Sequence, residues 1–149
     1  MAERANGRAN LHLHTIFSDG EFAPDAVVLA HARAGFEAIA LTDHDTLAGI
    51  DALGRPDGHG DRVIAGGEPS TDADPPKRLV QAHRHGEGCA PRTRAAPRPP
   101  PGARAARAAG GGATVERLAA AGYRVDWDSV RSRATGNVGK PHIVAAVEA

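Results

Sequence analysis

The chain has 149 residues, the size of one domain; 41% are hydrophobic, with much of that alanine, and 3% are aromatic. Lys and Arg number 18 and Asp and Glu also 18, so no global field recruits nucleic acid or an anionic membrane surface. A single cysteine, Cys89, excludes an internal disulfide framework, and no stretch approaches the roughly 18 apolar residues of a membrane span. The expectation is a cytoplasmic protein with no membrane partner.

Residues 8–68 read as a βαβαβ run. Asn10 to His14 alternates, with Leu11 and Leu13 on one face and His12 and His14 on the other. Pro24 and Asp25 open a helix whose apolar face holds Val28, Leu29 and Ala32, and Gly35 is placed to end it. Glu37 to Thr42 is short and apolar, as expected of a buried parallel strand. Asp45 or Thr46 is placed to cap a second helix carrying Leu47, Ile50 and Leu53. A Gly/Pro/Asp loop over 54–61 leads to a third strand, Arg62 to Ala65. Strands alternating with helices place the chain in the α/β class, with parallel pairing and right-handed crossovers.

Residues 69–113 differ in kind. They hold eight Pro, six Gly and eight Lys or Arg against three acidic residues, and their only large aliphatics are Leu79 and Val80. Such a segment buries too little apolar surface to offset its conformational entropy, and it reads as disordered or poorly packed, either loop or helix with little burial. His83 and His85 within it read as solvated. Order returns over residues 114–149. Val115, Leu118 and Ala119 form a helical face that Gly122 ends, Val125 to Asp128 starts a short element, and Pro141 to Ala149 reads as a helix burying Ile143, Val144 and Val147.

Chemistry concentrates at the strand ends. An isolated His-x-His such as His12 and His14 is more often a pair of surface histidines, and Asp19 in a Ser-Asp-Gly turn is more often an Asx-turn. His44 in Thr42-Asp43-His44-Asp45, or Glu68 after Gly66 and Gly67, is equally ordinary alone. Together they are not, because three successive strands each deliver imidazole or carboxylate at the carboxyl end, where parallel sheets build their sites. The paired glycines would let the backbone approach a ligand cluster closely. Mixed His and carboxylate donors suit Mn²⁺, Zn²⁺ or Fe²⁺ rather than Ca²⁺.

Leu11-His12-Leu13-His14-Thr15 with Ser18-Asp19-Gly20, then Leu41 to Thr46 with Gly49-Ile50, then Gly67-Glu68, resembles the opening motifs of the PHP (polymerase and histidinol phosphatase) family over residues 10–68. The resemblance implies the N-terminal part of a distorted (β/α)7 barrel, with His12, His14, Asp19, His44 and Glu68 as metal ligands for a divalent transition metal, Mn²⁺ first. It implies that Asp43 is a carboxylate orienting a ligand imidazole from behind. Val115 to Leu118, Trp127 to Val130 and Gly139-Lys140-Pro141-His142-Ile143 look like part of the helical insertion of one PHP subgroup. That subgroup includes 3′,5′-nucleoside bisphosphate phosphatases and 5′–3′ exoribonucleases. By that likeness Lys140 and His142 would contact substrate phosphate, Lys140 standing where the subgroup has arginine and lacking its bidentate fork. The implied activity is metal-dependent hydrolysis of nucleotide or short oligonucleotide phosphates. The alternative is a fragment that binds metal without turnover, because the family's later ligands would follow Ala149. An unpaired sheet edge would then favour self-association. Between matching flanks, residues 69–113 would be either a compensated pair of frameshifts or a genuine insertion.

Overall fold

The computed structural model describes residues 7–53, 63–72, 81–83 and 99–148. Three parallel strands, β1 (Arg8–Leu13), β2 (Phe36–Leu41) and β3 (Val63–Ala65), form one sheet in that order. Helix α1 (Pro24–Arg33) joins the first two, with Pro24 at its start, Asp25 in its first turn and Gly35 at φ 79° just past its end. Helix α2 (Ala48–Ala52) follows β2. Strand β2 is central, and its Ile39, Ala40 and Leu41 are buried, as are Val27 and Val28 of α1. A β-strand with partners on both sides and a helix against it becomes a continuous apolar run, which is the pattern its sequence shows.

Strand β1 lies at the edge among the described residues, and its register against β2 is irregular between Asn10 and Leu13. The backbone N–H of His12 there donates to Asn10 Oδ1 at 3.3 Å. Leu11 is exposed on this edge, and of the leucine pair only Leu13 is half-buried.

The second helix is not capped by Asp45. Its N-cap is Leu47, while Thr46 Oγ1 accepts from Ala48 N–H at 3.1 Å and Asp45 turns into the interior instead.

Part of the stretch expected to be disordered or poorly packed forms regular elements, and residues 103–113 make a helix of which Ala103 alone is buried. Strands β4 (Ser70–Asp72) and β5 (Gln81–His83) pair antiparallel, and helix α3 runs from Ala103 to Ala120, eleven residues ahead of the expected start at Thr114. Gly110, Gly111 and Gly112 oppose this helix locally, since each glycine costs about 1 kcal/mol in a helix interior. The alanines around them carry the helix through, and Gly111 lies where a β-carbon would press on the Trp127 ring. Residues 73–80 and 84–98, with His85 and Cys89, lie outside the described residues, as do the side chain of His83 and all of His59.

Helices α3, α4 (Trp127–Ser132) and α5 (Lys140–Val147) enclose a second core of Val115, Val130, Ile143 and Ala146, with Leu118, Val125, Trp127 and Val138 against it. Asp126 caps α4 by accepting from Ser129 N–H at 2.8 Å. In α5 the buried face is Ile143 and Ala146; Val144, expected inside, is exposed. The mixed α/β architecture with a parallel sheet is the one expected from the sequence.

Candidate metal centre

The carboxyl ends of β1, β2 and β3 bring five side chains together. His12 is near the end of β1 and His14 just past it, their rings stacked at 4.9 Å and 8° with Nε2 atoms 2.9 Å apart. Ser18 and Gly20 N–H groups both donate to Thr15 O, closing a turn that returns Asp19 to His14. Asp19 Oδ1 lies 2.7 Å from His14 Nδ1. Beyond β2, Thr42 N–H donates to Leu13 O at 2.7 Å, and His44 forms an isolated parallel bridge with Glu68 beyond β3.

The donor atoms form two overlapping groups. Glu68 Oε2 is 3.2 Å from His12 Nε2, 3.1 Å from His14 Nε2 and 3.6 Å from His44 Nδ1. Asp19 Oδ2 is 3.6 Å from His44 Nε2. His12, His14 and Glu68 make one set, and His14, Asp19 and His44 the other, with the donors of each set within 4.8 Å. Metal–nitrogen bonds of about 2.0–2.1 Å put neighbouring tetrahedral ligands about 3.3 Å apart. Lone pairs from two imidazoles and a carboxylate spaced at 2.9–3.2 Å therefore fit a cation between them.

Charge prepares the set for ligation. Burial opposes charge on Asp19, yet its bond to His14 and the nearby His44, His14 and Arg107 hold its pKa down at about 2. Burial, followed by the charge of Arg107, pushes His44 down to about 4, against the pull of Asp19 and Glu68, so its imidazole is neutral at pH 7. Burial also acts against charged His14, but the hydrogen bond and charge of Asp19, helped by Glu68 and Asp43, raise it. With His14 Nδ1–H given to Asp19, its Nε2 faces His12 and Glu68, the arrangement by which a carboxylate sets a ligand tautomer.

Among the described residues Asp43 bonds no imidazole, contrary to the role the family resemblance implies for it. Its carboxylate accepts from Thr15 N–H at 2.7 Å, Thr15 Oγ1 at 2.8 Å and Ser18 Oγ at 2.6 Å, so it secures the turn that carries Asp19. Gly49 packs where a β-carbon would strike that carboxylate. The glycines before Glu68 also serve differently from the expectation. Gly66 is held against Thr42 and Leu41 of the neighbouring chain segment, and Gly67 meets only an ordinary contact with Leu47.

Lys140 is exposed at the first position of α5. His142 Nδ1 accepts from Gly139 N–H at 3.0 Å, satisfying one of the free donors at the helix start. A β-carbon on Gly139 would collide with Asp19, so this N-terminus abuts the cluster. His31 on α1 is half-buried, with Nδ1 2.8 Å from Val27 O and Nε2 3.2 Å from Asn10 Nδ2.

Residues absent from the sequence-based site complete its rim. Arg107 Nε donates to Asp45 Oδ2 at 2.8 Å and Nη2 to Ser70 Oγ at 3.1 Å. Ser70 in turn donates to Asp45 through N–H (2.6 Å) and Oγ (2.7 Å). Asn137 Nδ2 donates to His44 O at 2.5 Å. Only the 104/107 spacing on an alanine-rich run hinted at a helix presenting these arginines.

No curated protein matches the chain. Solved structures do. A provisionally named metal-dependent phosphoesterase from Bifidobacterium adolescentis is 26% identical with a TM-score of 0.65, covering 97% of this chain and 50% of its own. An amidohydrolase from Chromobacterium violaceum, with bound sulfate and no metal, is 24% identical with a TM-score of 0.62, covering 94% of this chain and 49% of its own. The chain thus spans about half the length of each. Residues 10–84, past the 68 at which the motif resemblance ends, match the PHP domain. The chain belongs to the PHP domain family.

Proposed function

We propose that these residues form part of the active site of a metal-dependent phosphoesterase acting on nucleotide or short oligonucleotide phosphates. The observation that carries this reading is the convergence of His12, His14, Asp19, His44 and Glu68 from three strand ends into two donor sets sharing His14. Likeness to the Bifidobacterium adolescentis protein supports the phosphoester chemistry. A divalent ion, Mn²⁺ ahead of Zn²⁺ and Fe²⁺, would be held by these five side chains and would supply Lewis acidity toward phosphate and acidify water.

The chain's own residues do the rest. Asp19 keeps His14 oriented, and Asp43 keeps the Asp19 turn closed. The start of α5, against Asp19, sets Lys140 and His142 at the rim, where a positive helix end and a lysine attract a phosphate. The resemblance of the Gly-Lys-Pro-His motif to that of the bisphosphate phosphatase and exoribonuclease branch supports a nucleotide substrate over other phosphoesters.

Because the chain spans half of its solved neighbours, the assay joins it to the other half of such a protein. Phosphate release from a 3′,5′-nucleoside bisphosphate with Mn²⁺, abolished by His44→Ala, is the expected result. Release that survives His44→Ala, or hydrolysis of a simple aryl phosphate but of no nucleotide, refutes the site or the substrate class respectively.

A further inference from the structure

Among the described residues Asn137 hydrogen-bonds none of the five donor side chains, yet it bonds the backbone that carries two of them. It is 6% exposed in the loop between α4 and α5. Its N–H donates to Phe17 O at 3.2 Å, inside the turn that presents Asp19. Its Nδ2 donates to His44 O at 2.5 Å, across 93 residues of chain. Its Oδ1 accepts from Arg104 Nε of α3 at 2.6 Å. Arginine only donates, so the atom it meets must be the amide oxygen, and the NH₂ is left for the carbonyl of His44. Each polar group of this buried side chain therefore has a partner that fixes its orientation.

One helical turn beyond Arg104, Arg107 holds Asp45 from the other side. Asp45 has φ 52°, a conformation that non-glycine residues adopt uncommonly and that surrounding contacts must hold. The two-residue stretch His44–Asp45 is thus gripped by α3 twice, through Asn137 at His44 O and directly at the Asp45 carboxylate. On its remaining side Asp45 N–H donates to Glu68 O at 3.3 Å.

From this arrangement we infer that Asn137 is a positioning residue for the metal centre, through which the helical unit α3–α5 sets the placement of His44 relative to Asp19. The inference rests on the metal reading of the five donors and extends it to a residue outside them. Its consequence is that ion affinity depends on docking of the helical unit as well as on the ligands.

The Asn137→Asp variant separates this role from simple packing. A carboxylate of the same shape still accepts from Arg104 but cannot donate to His44 O, and it sets an oxygen against that carbonyl. Folding should persist while the His44 contact is lost. The experiment titrates Zn²⁺ against a chromophoric chelator at pH 7.5 and records thermal unfolding of the metal-free chain. It compares the parent chain with Asn137→Asp, Arg104→Met and His14→Ala. Partners behind metal ligands are worth about 10- to 100-fold in affinity, and Asn137→Asp is expected to weaken Zn²⁺ by about 10-fold or more with metal-free unfolding little changed. Arg104→Met, which frees the amide to rotate, should weaken it by about 5-fold, the worth of one hydrogen bond.

If His14→Ala binds Zn²⁺ as the parent does, the metal reading itself fails. If His14→Ala loses Zn²⁺ while Asn137→Asp binds as tightly as the parent, the metal reading stands and the positioning role is overturned. Should Asn137→Asp fail to fold, Arg104→Met decides: unchanged affinity overturns the proposal, and a loss without lowered thermal stability supports it.

Discussion

Arg107→Met tests the contact that fastens α3 to the strand ends. The Asp45 side chain is 0% exposed and the Arg107 side chain 11%, with 2.8 Å between Nε and Oδ2. Removing one member of a buried pair costs about 3–5 kcal/mol, because the other charge is left uncompensated. Asp45 keeps two hydrogen bonds from Ser70, which places the loss at the lower end, about 3 kcal/mol. At about 2–4 °C per kcal/mol for a chain of this size, the midpoint of unfolding should fall by about 6–12 °C.

Adding Asp45→Asn to Arg107→Met should restore most of that loss. Asparagine tolerates positive φ, and its amide can accept from Ser70 N–H while donating to Ser70 Oγ. The pH dependence has a definite sign. Burial pushes the Asp45 carboxyl up, but Arg107 and Ser70 outweigh it and hold it below the ordinary carboxylate value. A carboxyl lowered in the folded state contributes stability that is complete above the unfolded pKa of about 3.9 and is lost as pH falls through the folded value. The gap between parent and Arg107→Met should therefore narrow as pH drops below about 4. Denaturant unfolding at pH 7 and pH 3, followed by circular dichroism, reads both effects. A cost below about 1 kcal/mol, or a double variant as unstable as the sum of the singles, would refute the buried-pair argument.

Two further outcomes follow from packing. Gly139→Ala places a β-carbon against Asp19, so it should displace the start of α5 and lower both thermal stability and Zn²⁺ affinity; unchanged values in both would mean the loop yields freely. Val130, fully buried at the centre of the helical core, should cost about 2 kcal/mol on truncation to Ala, read as a shift in denaturant midpoint with unchanged slope. A shift under a quarter of that would show that the three helices do not share one core.

Much of the site was legible because it is built from strand ends. Periodicity located β1, β2 and β3 to within two residues, and a parallel sheet then dictates that His12, His14, His44 and Glu68 share one end. What escaped was long-range. Asp43 reads as a histidine partner when only its neighbours are considered, but the turn that folds back on it begins 28 residues earlier. Arg107 and Asn137 lie 62 and 93 residues from their partners at the site, in stretches whose local pattern carries no sign of a ligand cluster. The glycine triplet concealed the first half of α3, since local propensity opposes a helix that tertiary contacts with Trp127 and Asp45 support. Spacing alone puts Val144 on the buried side of its helix, but it faces outward because the three-helix unit buries only part of each element.

The central claim is that His12, His14, Asp19, His44 and Glu68 hold a metal ion, and X-ray absorption on the Zn²⁺-loaded chain tests it most directly. Nitrogen and oxygen scatterers at about 2.0–2.2 Å, with the outer-shell signature of at least two imidazoles and no sulfur, are the predicted result. That imidazole signature should diminish in the His12→Ala, His14→Ala double variant. A sulfur shell at about 2.3 Å, which would implicate Cys89, or a spectrum unchanged in the double variant, would contradict the account.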